Sequence, residues 1–421
     1  MRKKHRVTLR CVVLLSAATM LACADAPTVP SESIAPAAEA AVHFWDALAT
    51  TRWNLRATQL FRTTSPLPPN GQAWASRTLT YLSIAQYRAA LAATAPSNRS
   101  KRPSVSAAVA RASVDMLTRF YTQTPGYSPP STIPAALEQM LVADRSESAW
   151  PGEANTDVTL GDALGMQIAQ AVWNQAQADN YNAASTLTNF AALQTTRPIG
   201  PAYWVPSGAP VRSLWGVRPF FLETDDLLLS PPPPNLAGLQ AGAAFVVTTM
   251  TVGSPAKLAS QVSIANLWNK VPPNGPFTAG EWNQKADSLI QLYHRTEVEA
   301  ARILAYANAA AFDSQIECFT TKYTYWVARP AQVIATIVPV FATPNHPSYP
   351  SGHSCISAAF GAYLSSVFPD SDTKNWLASQ VDEAGWSRIY AGIHYTFDID
   401  AGYGVGSRAA AKALVGKLEG E

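Results

Sequence analysis

Apolar residues recur at spacings of three and four along five stretches of the first half of the chain, roughly 37 to 62, 73 to 95, 104 to 121, 134 to 145 and 159 to 178. That period predicts helices, and it agrees with abundant alanine and scarce β-branched runs. From about 196 to 275 the pattern breaks down into prolines, tryptophans and glycines, as in "PAYWVPSGAPVRSLWGVRPFF" and "SPPPPN". Proline forbids continuous helix, so long surface connections are expected there. The helical period then returns. Thr278 and Glu281 form a capping-box pattern ahead of "EWNQKADSLIQLYHRTEVEAARILAYANAAAFDSQIECFTTKYTYW", predicted as two helices running to about 328 and stopped by Pro330. Ile356, Ala359, Phe360, Tyr363, Leu364 and Val367 mark the buried stripe of a further helix that ends near Phe368-Pro369. The sequence contains no internal repeat, no heptad seam and no alternation sustained enough for a sheet. The predicted fold class is all-α.

With 421 residues, 48% of them apolar and 14% charged, the chain can bury a large core, and residues 36–421 are expected to form a single helical domain. The formal charge is +2, but five of the basic residues lie within the first ten positions. The remainder carries 26 basic against 29 acidic residues, which points away from a nucleic-acid partner. The basic head precedes the short apolar stretch "CVVLLSAATMLAC", so residues 1–23 are expected to be a signal peptide and 24–35 a linker. "MLAC" resembles a lipoprotein cleavage box that would leave a lipid anchor at Cys23, while Ala22-Cys23-Ala24 would also suit ordinary cleavage. Export is expected in either case, to the periplasm, to the outer membrane as a lipoprotein, or to the extracellular space. No transmembrane span is expected, because the apolar run 236–253 is broken by Gln240 and three threonines. Two of the four cysteines belong to the leader, and Cys318 with Cys355 could form a disulfide or remain two buried thiols.

The chemistry-bearing residues gather between 318 and 402. "KYTYWVARP" sets Lys322 and Arg329 seven apart, close to two helical turns, which places both cations on one helical face. "HPSYPSGHSCIS" places Ser351, Gly352 and His353 at a helix N-terminus, where unpaired N–H groups and the helix dipole favour an anion and glycine lets the backbone come close. "SRIYAGIHYTFDID" supplies Arg388, His394 and Asp398. Asp398, one turn after His394 in a helix, would take the Nδ1 proton and leave Nε2 free as ligand or nucleophile. Three cations, a serine and a glycine amide suit a multiply charged oxyanion. Taken singly, each has a plainer reading: a solvated helix face, an N-cap, a structural ion pair. His43 and His294 fall outside this cluster and read as surface or core residues.

Lys-x6-Arg-Pro, Pro-Ser-Gly-His and Ser-Arg-x5-His-x3-Asp, carried here by Lys322, Arg329, Pro330, Pro350 to His353, Ser387, Arg388, His394 and Asp398, resemble the three-part signature of vanadium-dependent haloperoxidases and of the type 2 phosphatidic acid phosphatase (PAP2) superfamily. The resemblance implies a helical bundle in which Lys322, Arg329, Ser351, Gly352 and Arg388 hold vanadate or phosphate. In the haloperoxidase version His394 is the vanadium ligand, His353 the acid-base residue and Lys322 the group that polarises peroxide. In the acid phosphatase version His394 is the nucleophile, passing through a phosphohistidine, and His353 the general acid. His346 stands where bromide- and iodide-oxidising relatives carry histidine and fungal chloroperoxidases carry phenylalanine. The long N-terminal portion with "WGVRPFF" resembles the secreted bacterial haloperoxidase-like group. The expected activity is therefore vanadate-dependent oxidation of bromide or iodide, rather than chloride, by hydrogen peroxide to hypohalous acid, with an organic molecule as a further acceptor. The alternatives are a secreted acid phosphatase and a non-catalytic oxyanion-binding lipoprotein, although pure binding would not need an oriented His394–Asp398 pair.

Overall fold

The computed structural model describes residues 48–419 apart from 147–152, 154–156, 184–194, 198, 209–210, 212 and 252–254. The expected signal peptide, the linker, Cys23 and His43 lie outside the described residues. In chain order the helices are α1 (Ala49–Thr63), α2 (Gly71–Thr94), α3 (Val105–Thr122), α4 (Ile133–Ser146), α5 (Val158–Gln177), α6 (Leu236–Thr251), α7 (Pro255–Leu267), α8 (Phe277–Leu292), α9 (Glu297–Tyr325), the single turn α10 (Pro330–Val333), α11 (Gly352–Val367), α12 (Ser371–Tyr390) and α13 (Thr396–Val415). Among the described residues β-pairing is confined to two isolated bridges, so the all-α expectation holds. None of the described helices is long and apolar enough to cross a membrane.

Helix α9 is the axis of the molecule. It packs against α2 on one side and against α11 and α13 on the other, while α3 and α5 extend the α2 side and α12 the α11 side. Every side chain from Ile303 to Tyr323 is buried. Alanine at 305, 307 and 309–311 allows neighbouring helices to approach closely, and a helix apolar on all faces belongs inside a core. Several of the polar residues on α9 tie it to its neighbours. Asn308 and Asn283 exchange amide hydrogen bonds at 2.8 Å in both directions. Asp313 accepts the backbone N–H groups of Phe220 and Phe221 at 2.7 Å and of Leu222 at 3.0 Å, which ties the Trp/Pro-rich connection to the axis. Cys318 and Cys355 are buried free thiols, so the disulfide alternative does not apply.

Three local expectations need correction. The segment 196–275, read as surface connections, contains α6 and α7; both are alanine-rich and lie between the proline clusters 231–234 and 272–273, and the one proline in them, Pro255, stands at the first position of α7, where no backbone hydrogen bond is lost. The capping box belongs to Thr296 and Glu299 at the start of α9, not to Thr278 and Glu281. Thr278 already lies inside α8, and its N–H is donated to Gln72. Lys322 and Arg329 do not share one helical face. Trp326, in left-handed conformation at φ 58°, ends α9 between them.

Removing the Asp313 carboxylate strands three N–H groups, each costing about 1–3 kcal/mol when unpaired and buried. Asp313→Ala should therefore lose about 3 kcal/mol or more of stability in urea unfolding. A loss below about 1 kcal/mol would show that the connection does not depend on this carboxylate.

Candidate active site

The segment "PNHPSYP", residues 344–350, runs between α10 and α11. Three prolines preclude a helix or an inner strand, so its inward carbonyls need donors from elsewhere. Lys322, at the C-terminal end of α9, donates to Pro347 O at 3.0 Å, Ser348 O at 2.7 Å and Pro350 O. Arg329 donates through Nε to His346 O at 3.0 Å and through Nη2 to Pro344 O at 3.5 Å and His346 Nδ1 at 3.0 Å. Its Nη1 donates to Ile393 O at 2.7 Å and to His394 Nε2 at 3.0 Å. Lys322 is spent on this turn, while Arg329 also joins it to His394. Burial lowers Lys322 to about 8 and Arg329 to about 10, values at which both stay charged at neutral pH.

The turn delivers Ser351 as the N-cap of α11. Its hydroxyl accepts from Ser354 N–H at 3.4 Å, and its own N–H is donated to Asp398 O at 2.8 Å. Gly402 and Gly406 on α13 allow this approach. A Cβ at Gly406 would stand 2.3 Å from Cys355 O, and one at Gly402 would stand 2.6 Å from Ser354 Cβ. At the head of α13 the Asp398 carboxylate turns back beyond the helix start. Oδ2 accepts Ser348 Oγ at 2.6 Å, Tyr395 N–H at 3.2 Å and the Nδ1 proton of His394 at 2.7 Å. His394 thus precedes α13 rather than lying within it, and the expected pairing is made by a carboxylate reaching back from the first turn.

The partners of His394 fix its tautomer from both sides. Arg329 can only donate, so Nε2 accepts; Asp398 then takes the Nδ1 proton. Burial first, and then Arg329 and Lys322, hold His394 well below the usual imidazole range. His353 is resolved in the same way. The Trp268 carbonyl lies 3.0 Å from Nε2, with Thr278 Oγ1 at 3.1 Å, so Nε2 carries the proton and Nδ1 is the bare nitrogen. His346 Nδ1 lies between a donor and an acceptor, 3.0 Å from Arg329 Nη2 and 3.1 Å from Pro347 O, and its ring lies 5.1 Å from that of Phe319. Burial and nearby cations also push His353 and His346 down. Asp398 is raised by burial to about 6, which leaves it ionised at neutral pH.

These groups meet at a cavity of about 230 Å³. His346, Gly352, His353, Arg388 and His394 line it, whereas Lys322, Arg329, Ser351 and Asp398 stand behind the lining. A Cβ on Gly352 would meet nothing within 4 Å, so the start of α11 opens directly onto the cavity. Arg388 donates Nε to Ser387 Oγ at 2.9 Å and Nη2 to Ala265 O at 3.1 Å, and burial lowers it to about 9. With the three histidines neutral, three cations face one carboxylate and two positive charges remain uncompensated. That balance, a helix N-terminus and a bare imidazole nitrogen fit a tetrahedral oxyanion. Among the described residues no three His, Cys, Asp or Glu side chains gather as a cation site.

Sequence reasoning missed Ser348, the Trp268 carbonyl, the hydroxyl of Thr278 and the cavity residues Gln72, Gln315 and Phe319. Gln315 and Phe319 were accessible by period, lying seven and three residues before Lys322 on the same helix. The others depend on tertiary contacts that no spacing encodes. His294, in left-handed conformation at φ 47° just after α8, is not among the residues lining the cavity.

Among the described residues the fold is all-helical, and a cationic pocket lies at the junction of α9, α11 and α13. Residues 301–415 match the family model of the PAP2 superfamily, the segment that carries all three motifs. The fold is that of vanadium-dependent haloperoxidases. A bacterial vanadium-dependent iodoperoxidase structure superposes with a TM-score of 0.66 at 21% identity, covering 87% of this chain and 95% of that one. The holo form of a bacterial vanadium-dependent chloroperoxidase gives 0.61 at 12% identity, covering 85% and 94%. Its apo form gives 0.59 at 11%, covering 83% and 94%. No curated protein sequence matches the chain.

Asp398→Asn should keep the helical content but weaken orthovanadate or phosphate binding about 10- to 100-fold, because the amide no longer enforces the tautomer that exposes Nε2. Calorimetric titration with unchanged affinity would show that Asp398 serves only the fold.

Proposed function

We propose that this chain is a vanadate-dependent haloperoxidase that oxidises iodide or bromide with hydrogen peroxide to hypohalous acid. The observation that carries the reading is His394 at the wall of a cavity with two uncompensated positive charges, its Nδ1 proton taken by Asp398 so that Nε2 keeps the lone pair that now accepts from Arg329. Vanadate, when bound, supplies a Lewis-acidic centre at which peroxide becomes competent to oxidise halide. The remaining roles belong to the protein. His394 Nε2 would be the atom that holds the group, available once Arg329 Nη1 releases it, since one lone pair serves one partner. Arg388 and the first N–H groups of α11 hold oxyanion oxygens. His353 takes up and returns a proton at Nδ1, because Trp268 and Thr278 occupy Nε2. Lys322 contributes charge and holds the turn; polarising a ligand oxygen directly would require it to leave one of its three carbonyls.

The match to the PAP2 superfamily favours a second reading, a phosphomonoesterase with a phosphohistidine at His394. Two observations favour the haloperoxidase. The fold likeness extends over 95% of an iodoperoxidase chain, beyond the matched segment. His346 lines the cavity and is tied to Arg329, so its neutral ring can tune the oxyanion's surroundings.

The purified protein should gain iodide or bromide oxidation on addition of orthovanadate and peroxide, with phosphate as competitor. His394→Ala should remove nearly all turnover. His346→Phe should change the ratio of iodide to bromide rates while orthovanadate still binds. Brisk hydrolysis of p-nitrophenyl phosphate without halide oxidation after vanadate loading would replace this reading with the phosphatase.

A further inference from the structure

The cavity holds more than an oxyanion site. Away from the histidines its wall is apolar, with Val211, Val271, Phe277, Phe319, Ile356 and Ile393. Two glutamine amides interrupt it. Gln315, on α9, is fully buried, and neither its Oε1 nor its Nε2 has a hydrogen-bond partner among the described residues. Gln72, on α2, accepts Thr278 N–H at 3.3 Å, while its Nε2 is buried and likewise without a partner among them. By contrast Asn308, two turns earlier on the same helix, is matched reciprocally with Asn283. An amide left unmatched at a cavity wall is a standing cost to the fold, and a bound molecule can relieve it.

The chemistry of that molecule follows from the donors and acceptors. Gln315 offers an acceptor and a donor, Gln72 a donor, and neither is charged. A hydroxyl donates once and accepts as well, so it suits them, whereas an anion would face the Oε1 lone pairs. The apolar wall with two phenylalanines suits a ring, and a mainly apolar pocket with a few placed polar groups is the usual form of a small-molecule site. A cavity of about 150 Å³ holds benzene. Of the roughly 230 Å³ present, a ring would leave room for an oxyanion beside it.

We infer that Gln315 and Gln72 form an acceptor subsite for a neutral aromatic molecule bearing a hydroxyl group, of about phenol's size, beside the oxyanion pocket. The consequence for turnover rests on the haloperoxidase reading above. Hypohalous acid formed next to an electron-rich ring transfers its halogen to a ring carbon; the C–halogen bond forms, the halogen–oxygen bond breaks, and the ring proton leaves with the hydroxide as water.

Binding can be tested without vanadate, halide or peroxide, by calorimetric titration of the purified protein with phenol and, as an isostere lacking the donor and acceptor, toluene. Wild-type protein should prefer phenol by tenfold or more. Gln315→Leu should weaken phenol at least fivefold, keep or improve toluene, and unfold at the same or a higher temperature, since no intramolecular hydrogen bond is lost. Equal affinities in the wild type, unchanged phenol binding in the leucine variant, or a lower thermal midpoint for that variant would each overturn the subsite. The wild-type comparison decides even if the variant does not fold. Phenol preference in a protein that oxidises no halide would leave the subsite standing and remove the haloperoxidase reading. Halide oxidation without phenol preference would do the reverse.

Discussion

The site depends on two buried cations holding the carbonyls of a proline-rich turn. A segment with prolines at 344, 347 and 350 has too few N–H groups to organise itself, and its inward carbonyls would be orphaned without donors from outside. Lys322 meets three of them and Arg329 two. The arrangement also answers the reverse problem, since two buried positive charges would be costly without closely fixed dipoles. Each group makes the other tolerable, and the turn so formed sets the start of α11 and the position of His346.

From the opposite side the site is fixed by the approach of α13 to α11. Glycines at 402 and 406 remove the side chains that would hold the two helices apart, and the Asp398 carbonyl then reaches Ser351 N–H while the carboxylate reaches Ser348 and His394. Asp398 therefore serves as a clamp between the turn and the helix as well as the orienter of an imidazole. This dual use explains a fully buried carboxylate with only one oxygen engaged: Oδ2 carries three contacts, and Oδ1 has none among the described residues.

Much of this was legible in the sequence because the motifs are short and their chemistry is local. The residues of Pro350 to His353 sit at a helix start for reasons of backbone geometry, and the stripe from Ile356 to Val367 needs only period. What could not be read is how the motifs meet. Lys322 and Arg329 looked like one helical face, but the helix stops at Tyr325, and a left-handed Trp326 is invisible to a count of seven. Asp398 and His394 looked like a helical pair, but the pairing runs across a helix start. Thr278 looked like a cap because threonine and a glutamate three residues on fit that pattern; tertiary packing used its hydroxyl for His353 instead. The proline-rich middle hid α6 and α7 because its punctuation dominates a long window, although their own residues are helix formers.

The neutrality of the histidines follows from the same crowding of charge. Each of His346, His353 and His394 faces Lys322, Arg329 or Arg388 at a site from which water is largely excluded, so protonating any of them adds a like charge where none is screened. The positive charge that would suit an oxyanion is thus also what keeps the His394 imidazole neutral. Arg329 joins the two functions most directly. Its Nη1 donates to His394 Nε2, satisfying the lone pair and holding the ring in place. If His394 were to hold an oxyanion as proposed, the Arg329 N–H displaced from Nε2 would be free to bond one of the anion's oxygens.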